Sequence, residues 1–253
     1  MHILLTGTGT SQGTPVINCK CDVCLSKDMH DKRLRTSAIV KLSGTNILID
    51  PGPDLRQQLL QHPVEKIDAV LITHEHHDHI GGMDDLRPFF FRQKQPLDIY
   101  AAEEVQKAIK KKYYYAFDEQ PYPGAPQFNL IRLENKRFSV NNHQIEPIFA
   151  WHGKMPVWGF RLYNFAYLTD IKEISIEEQA KLQNLDTLVI SALHHNKHHS
   201  HLSLKEALEL IQKINPAKAY LTHISHEMGK YEDVKNLLPE NVFLGYDGLE
   251  ISI

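Results

Sequence analysis

The segment His74-Glu75-His76-His77-Asp78-His79 is the densest set of metal donors in the chain. Its H-x-H-x-D-H spacing offers four ligands, more than one short loop can fold around a single ion. His74 and His76 can serve one metal while Asp78 and His79 serve a neighbour. Imidazole and carboxylate donors suit zinc, manganese or iron. Ions about 4 Å apart can share one ionised water and clamp both oxygens of an ester displacement. A solvated His-rich loop is the plain alternative, but the apolar run before the motif and Gly81-Gly82 after it agree with the ligand reading.

A second cluster, Cys19-Lys20-Cys21-Asp22-Val23-Cys24, contains all three cysteines. This spacing suits metal or redox chemistry rather than a disulfide scaffold. Three thiolates and one histidine would close a tetrahedral zinc site. A redox switch and three free surface thiols are the competing readings. A third cluster, His194-His195-Asn196-Lys197-His198-His199-Ser200-His201, gathers five of the 16 histidines. Ester hydrolysis needs a donor that protonates a leaving alkoxide and meets a phosphoryl oxyanion, and this loop can supply one. A merely solvated loop is the alternative.

These side chains need rigid supports. Apolar runs at 3–5, 47–49, 69–72, 147–150, 165–168, 188–192 and 219–221 predict buried strands. Helical patterns cover 84–92, 103–115, 204–214 and, less regularly, 175–185. In 204–214, Leu204, Leu208 and Ile211 follow the spacing of a buried face, with Ser203 as N-cap. Residues 118–127 carry three prolines and a glycine and predict a loop. The pattern is mixed α/β without a linker, so one domain over residues 1–253 is expected. Four strand-like runs end at a potential ligand: His74, His152, Asp170 and His223. Strand ends along one sheet rim can converge on a site.

The 253 residues are 42% apolar and 23% charged, with a formal charge of -3. No global basic field recruits nucleic acid or an anionic membrane. No window approaches the apolar run of about 20 residues that spans a bilayer, and the first residues lack a signal-peptide pattern. A soluble, cytoplasmic protein is expected. Gly7-Thr8-Gly9-Thr10-Ser11-Gln12-Gly13 departs from the dinucleotide fingerprint and reads as a tight turn. Lys110-Lys111-Lys112 before Tyr113-Tyr114-Tyr115 reads as an exposed basic face beside buried aromatics.

Together, the first motif, its strand and its glycine pair resemble the metallo-β-lactamase fold superfamily. The resemblance implies a four-layer αββα sandwich of class α/β, with the site at one edge between two sheets. It implies His74, His76 and His152 as ligands of a first metal, Asp78, His79 and His223 as ligands of a second, and Asp170 as the bridging carboxylate. Satisfied buried histidines and a turn aspartate are the plain readings of His152, His223 and Asp170. His77 has no slot and is expected to face away. The cysteine cluster after a Gly-rich first turn resembles the PhnP-like phosphodiesterases of phosphonate degradation. That implies a structural zinc held by Cys19, Cys21, Cys24 and His226. Segments 49–56, 81–88 and 159–161 are similar to the same branch, with Asp50, Asp84 and Arg87 as turn caps and supports of the metal loop.

The implied catalytic residues are Asp78 and His201, the latter as a phosphate-contacting general acid with His199 as its rival. The implied activity is hydrolysis of a small or cyclic phosphodiester, such as a ribose cyclic phosphate, by a hydroxide activated between two metals. Two catalytic divalent metals, zinc or manganese, and one structural zinc are the expected cofactors. The expected partner is the small phosphodiester, without membrane or nucleic acid, and a homodimer is compatible. A ribonuclease Z-like tRNA-processing endonuclease is an alternative, though its basic, Gly/Pro-rich arm is not found. A non-catalytic carrier like the pyrroloquinoline-quinone biosynthesis protein of this fold is another. Thioesterase or lactonase chemistry also suits such a metal pair.

Overall fold

The computed structural model describes residues 1–120 and 122–253. Its strands form two seven-stranded sheets. The first holds β1 (His2–Gly7), β2 (Ser37–Leu42), β3 (Thr45–Ile49), β4 (Ala69–Leu71), β5 (Leu97–Ala101) and β6 (Phe128–Arg132), and the C-terminal strand Leu249–Ser252 pairs beside β1. The second runs in chain order through β7 (Phe138–Val140), β8 (His143–His152), β9 (Met155–Leu162), β10 (Phe165–Leu168), β11 (Thr187–Ser191), β12 (Lys218–Thr222) and β13 (Val242–Leu244).

Strand direction decides where the site lies. β9 is antiparallel to both β8 and β10, while β10, β11 and β12 are parallel. The carboxyl ends of β8, β10 and β12 therefore share one rim. β3 and β4 are also parallel and end together. Parallel strands are covered on both faces, which accounts for their unbroken apolar runs.

Ile3, Leu5, Ile47 and Val70 of the first sheet join Phe160, Phe165, Tyr167 and Val189 of the second in one buried cluster. Leu55 of the helix Leu55–Gln61 and Val105 and Ile109 of the helix Glu103–Lys112 extend that cluster on the first sheet's side. A second cluster packs Ile148, Leu168, Ile190 and Leu221 against Ala207, Ile211 and Ile214 of the helix Leu204–Ile214. The order is helix, sheet, sheet, helix: an αββα sandwich.

The helix Leu204–Ile214 has the expected bounds. Ser203 Oγ accepts from the Glu206 amide, and the Glu206 carboxylate accepts from the Ser203 amide, completing a capping box. Its buried stripe runs through Leu204, Ala207, Ile211 and Ile214, and Leu208 lies half-buried at the edge. The 103–115 pattern ends as a helix at Lys112 and continues as the 3-10 turn Tyr114–Ala116. Only Tyr113 of the three tyrosines is buried, and Tyr114 is exposed, contrary to the expectation for that run. The 84–92 pattern divides into the turn Met83–Leu86 and the helix Arg87–Gln93, with Pro88 in its first turn. The 175–185 pattern contracts to Ile176–Ala180, capped by Ser175. The described residues of 118–127 form neither helix nor strand, and Pro121 lies outside them. After β1 no helix begins, so 7–13 is a turn segment, with Gly9 bridging to Arg35 and Ile224. Among the described residues no helix is long and apolar enough to cross a membrane.

Gly159 shows how tightly β9 meets β10. A Cβ there would lie 2.2 Å from Leu168 Cδ2 and 2.8 Å from the Tyr167 carbonyl oxygen. Gly159→Ala is expected to destabilise the fold by about 1–3 kcal/mol, the range for overpacking a full core. Urea unfolding checks this, and an unchanged midpoint would contradict the packing described.

Candidate metal centre

Five candidate polar residues leave strand ends within a few positions. Asp50 follows β3, His152 is the last residue of β8, Asp170 lies two beyond β10, and His223 directly follows β12. His74 is reached from β4 through Thr73. Asp50, Asp170 and His223 have φ of 56°, 57° and 54°. Side chains seldom adopt that left-handed region, and such strain concentrates at functional sites.

The 74–79 loop is seated by close backbone contacts. A Cβ on Gly52 would lie 2.2 Å from the Asp78 carbonyl oxygen, and one on Gly82 would lie 2.0 Å from that of Gly52. Thr73 donates to Asp50 through its amide (2.8 Å) and hydroxyl (2.7 Å). His79 Nδ1–H donates to Asp50 Oδ2 at 2.7 Å, so Nε2 is the nitrogen left to ligate. Asp50 thus orients the His79 ring, a larger part than a turn cap. The signal for it was the one that marked Asp170: an apolar run, Ile47-Leu48-Ile49, ending at an aspartate. His152 is set the same way, its Nδ1–H donating to the Ser200 carbonyl at 2.8 Å.

The freed atoms converge. Ligand atoms of His74, His79 and Asp170 lie within 4.8 Å of one another, as do those of Asp78, His79 and His223, and those of His152, Asp170 and His201. Asp170 belongs to two of these groups and stands 3.2 Å from His79 Nε2 and 3.1 Å from His223 Nε2. Yet His79 Nε2 and both ring nitrogens of His223 are buried without a hydrogen-bond partner. The contacts are short but misaligned, because the atoms point at common centres rather than at each other. Buried donors rarely go unpaired, and His/Asp donors of this kind fit divalent ions.

Electrostatics agree. Burial opposes charge on Asp78 and Asp170, but His79 and His223 outweigh it and hold both carboxyls below the usual carboxylate range. Burial likewise opposes charge on His79, but Asp170, Asp78 and Asp50 together outweigh it and raise its pKa well above the usual range, so a divalent ion ligated by Nε2 would have to displace that proton. Burial pushes His74 the other way, toward the neutral, ligating form.

His76 is exposed and lies outside the three groups, though its Nδ1 faces His74 Nε2 at 3.0 Å and its ring is 5.2 Å from that of His152. His77 faces away, as expected, and pairs with Lys112. His201 turns inward, with Nδ1 3.4 Å from Asp170 Oδ1, while His199 is exposed and its ring lies tilted against that of His198. Burial holds the His201 imidazole down at about 3.

At the other cluster, Cys19, Cys21, Cys24 and His226 place their ligand atoms within 4.8 Å of one another. His226 Nδ1 is 3.3 Å from Cys21 Sγ and 3.6 Å from Cys19 Sγ. The His226 contact lowers the Cys21 thiol to about 6, whereas burial raises that of Cys24 to about 11. An S₃N set of this kind fits zinc. Ile224, between His223 and His226, is tied to the first turn: its amide donates to the Thr8 carbonyl (2.9 Å), and its carbonyl accepts from Thr10 (3.2 Å).

Residues 45–224 match the beta-lactamase superfamily domain. The crystal structure of a new diphosphatase from the PhnP family superposes with a TM-score of 0.93 at 35% identity, covering 99% of this chain and 96% of that one. The chain belongs to the metallo-β-lactamase superfamily, in its PhnP-like branch. Its αββα sandwich is accordingly a metallo-β-lactamase fold, a hydrolase architecture whose members bind divalent metals such as zinc. Zinc-bound PqqB from Methylobacterium extorquens shares this fold with a TM-score of 0.80 at 17% identity, each chain covered fully. An octanoyltransferase of Porphyromonas gingivalis is 40% identical over 256 residues, covering 100% of this chain and 52% of that protein. The chain spans about half the length of the curated relatives it matches.

Cys21→Ser is expected to lose about one zinc per chain and to melt at a lower temperature, because metal binding free energy is folding free energy at such a site. Elemental analysis and thermal unfolding check this. An unchanged zinc content and melting temperature would contradict the zinc assignment.

Proposed function

We propose that this PhnP-like protein is a binuclear metal-dependent phosphodiesterase acting on a small or cyclic phosphodiester, such as a ribose cyclic phosphate. The observation that carries the reading is the convergence on Asp170 of ligand atoms from both sheets, with His201 beside them. His74, His76 and His152 would hold one ion, Asp78, His79 and His223 the other, and Asp170 would be shared. Divalent ions held there supply Lewis acidity toward phosphoryl oxygens and lower the pKa of water toward neutrality.

The chain's own residues do the rest. Asp50 and the Ser200 carbonyl fix the rings of His79 and His152, so their Nε2 atoms need no reorganisation. His201 turns Nδ1 toward Asp170 and has Nε2 on the opposite side of its ring for substrate. Burial disfavours charge on the free ring, and with Nδ1–H turned to Asp170 its Nε2 carries no proton until the ring is protonated. The negative charge of a bound diester favours the protonated ring, from which Nε2–H can pass to the departing alkoxide.

A second reading, hydrolysis of a diphosphate, is favoured by the diphosphatase in the PhnP family at 35% identity. The name of the P. gingivalis relative belongs to a protein about twice as long, and acyl substrates come from it only as a contrast. Zinc- and manganese-loaded protein should hydrolyse a generic aryl phosphodiester, and Asp78→Ala should cut kcat/KM by about 100-fold or more. A diphosphate turned over far faster than the diester would favour the second reading. Inertness toward both, with metals bound, would sink the phosphodiesterase assignment.

A further inference from the structure

Lys172 stands outside every ligand group, yet three supports of the site meet at it. It follows Asp170 by two residues, and its side chain is only 18% exposed. Nζ donates to the His201 carbonyl at 3.2 Å and to Glu206 Oε1 at 2.8 Å. Glu206 Oε2 accepts from the amide and the hydroxyl of Ser203, both at 2.8 Å, so both carboxylate oxygens are engaged. Burial works against the charge on Glu206, but Lys172 and Ser203 hold its carboxyl at about 2.

The backbone around Lys172 is fastened on both flanks. The Lys172 amide donates to the Trp151 carbonyl (2.7 Å), and the Trp151 amide donates to the Glu173 carbonyl (2.8 Å), beside His152. The Leu202 amide donates to the Ile171 carbonyl at 3.1 Å, beside His201. Segment 170–173 thus crosses from the end of β8 to the His201 loop.

His201 has a particular need of this support. His79 and His152 are each oriented through Nδ1, by Asp50 and by the Ser200 carbonyl. His201 Nδ1 is buried without a hydrogen-bond partner, so beyond its packing against the rings of His152, His198 and His223 its placement depends on its own backbone. Shielding an ammonium from water is costly, and apolar side chains stabilise a fold as well or better. What Lys172 adds is a directed bond to the His201 carbonyl, locked by a second bond to the cap of the helix Leu204–Ile214.

We propose that Lys172 is a positioning residue that sets the His201 imidazole through the His201 carbonyl and Glu206. The inference rests on the reading of His201 as the group that meets the substrate phosphate. Its test compares zinc-loaded wild type, Lys172→Met and Lys172→Arg by ¹⁵N-histidine NMR and by turnover of an aryl phosphodiester.

In Lys172→Met the His201 ring signals should shift and broaden while those of His74 and His79 hold, and those of His223, whose ring stacks on His201, should shift less. kcat should fall about 10- to 100-fold, with KM within about two-fold. Lys172→Arg, which can reach both acceptors, should restore the His201 signals and most of kcat. If Lys172→Met does not fold, Glu206→Gln takes its place, since Gln keeps the cap but removes the ionic lock, and a smaller shift at His201 is expected. Unchanged His201 signals, or loss of zinc from the His/Asp groups, would overturn the proposal. A wild type inactive on the diester would count against the phosphodiesterase reading, and the ring signals would still decide the role of Lys172.

Discussion

Asp50, Asp78 and Asp170 are buried carboxylates at one rim of the sandwich, and the rest of the site answers to their charge. In a poorly screened interior like charges repel by several kcal/mol at about 4 Å, even at an effective dielectric constant of about 20. His79 touches all three; as an imidazolium it would compensate only part of that charge, and as a neutral ligand none. Divalent cations would supply the balance, and beside these carboxylates His79 and His223 keep buried nitrogens without hydrogen-bond partners. The left-handed backbone at Asp50, Asp170 and His223 and the absence of side chains at Gly52 and Gly82 are what such close seating demands.

Each ligand loop has its own anchor. Asp50 fixes His79, and the Ser200 carbonyl fixes His152. The loop that carries His223 is pinned from both sides, by Thr8 and Thr10 through Ile224 and by the cysteine cluster through His226. The His201 loop is held by Lys172 and Glu206. The anchors of His79 and His223 are separate from those of His152 and His201, which share the Ser200–His201 loop and segment 170–173, so damage to that loop should disturb the second-sheet side of the site before the whole. Preorganisation of this kind keeps ligating and donating atoms in place without help from the substrate.

Much of this was legible in the sequence, for physical reasons that differ by element. Parallel strands covered on both faces appear as unbroken apolar runs, so β3, β4, β10, β11 and β12 could be read directly. The abrupt change from apolar run to His or Asp marked the strand-end residues. Strands β5 and β6 were not read, because Leu97-Asp98-Ile99 alternates and Phe128–Arg132 lies half-exposed at a sheet edge. The helix Leu55–Gln61 buries only Leu55 and Gln58 and so carries no apolar stripe. Residue type alone did not separate His201 from His199 among five histidines in eight residues, and only the resemblance ranked them; in the structure the His201 ring turns inward and His199 is exposed. Lys172 Nζ bonds to a backbone carbonyl, and the Ser200 carbonyl is itself a backbone atom; such contacts have no signature in residue type.

The most direct test of the charge argument is anomalous diffraction at the zinc edge from crystals of zinc-loaded protein. The account predicts two peaks flanking Asp170, within ligating distance of the His79 and His223 nitrogens, and a third among Cys19, Cys21, Cys24 and His226. A peak at the cysteines alone, with His79 still bonded only to carboxylates, would contradict it. The three buried carboxylates would then be balanced by protons, and the hydrolase reading would lose its physical basis.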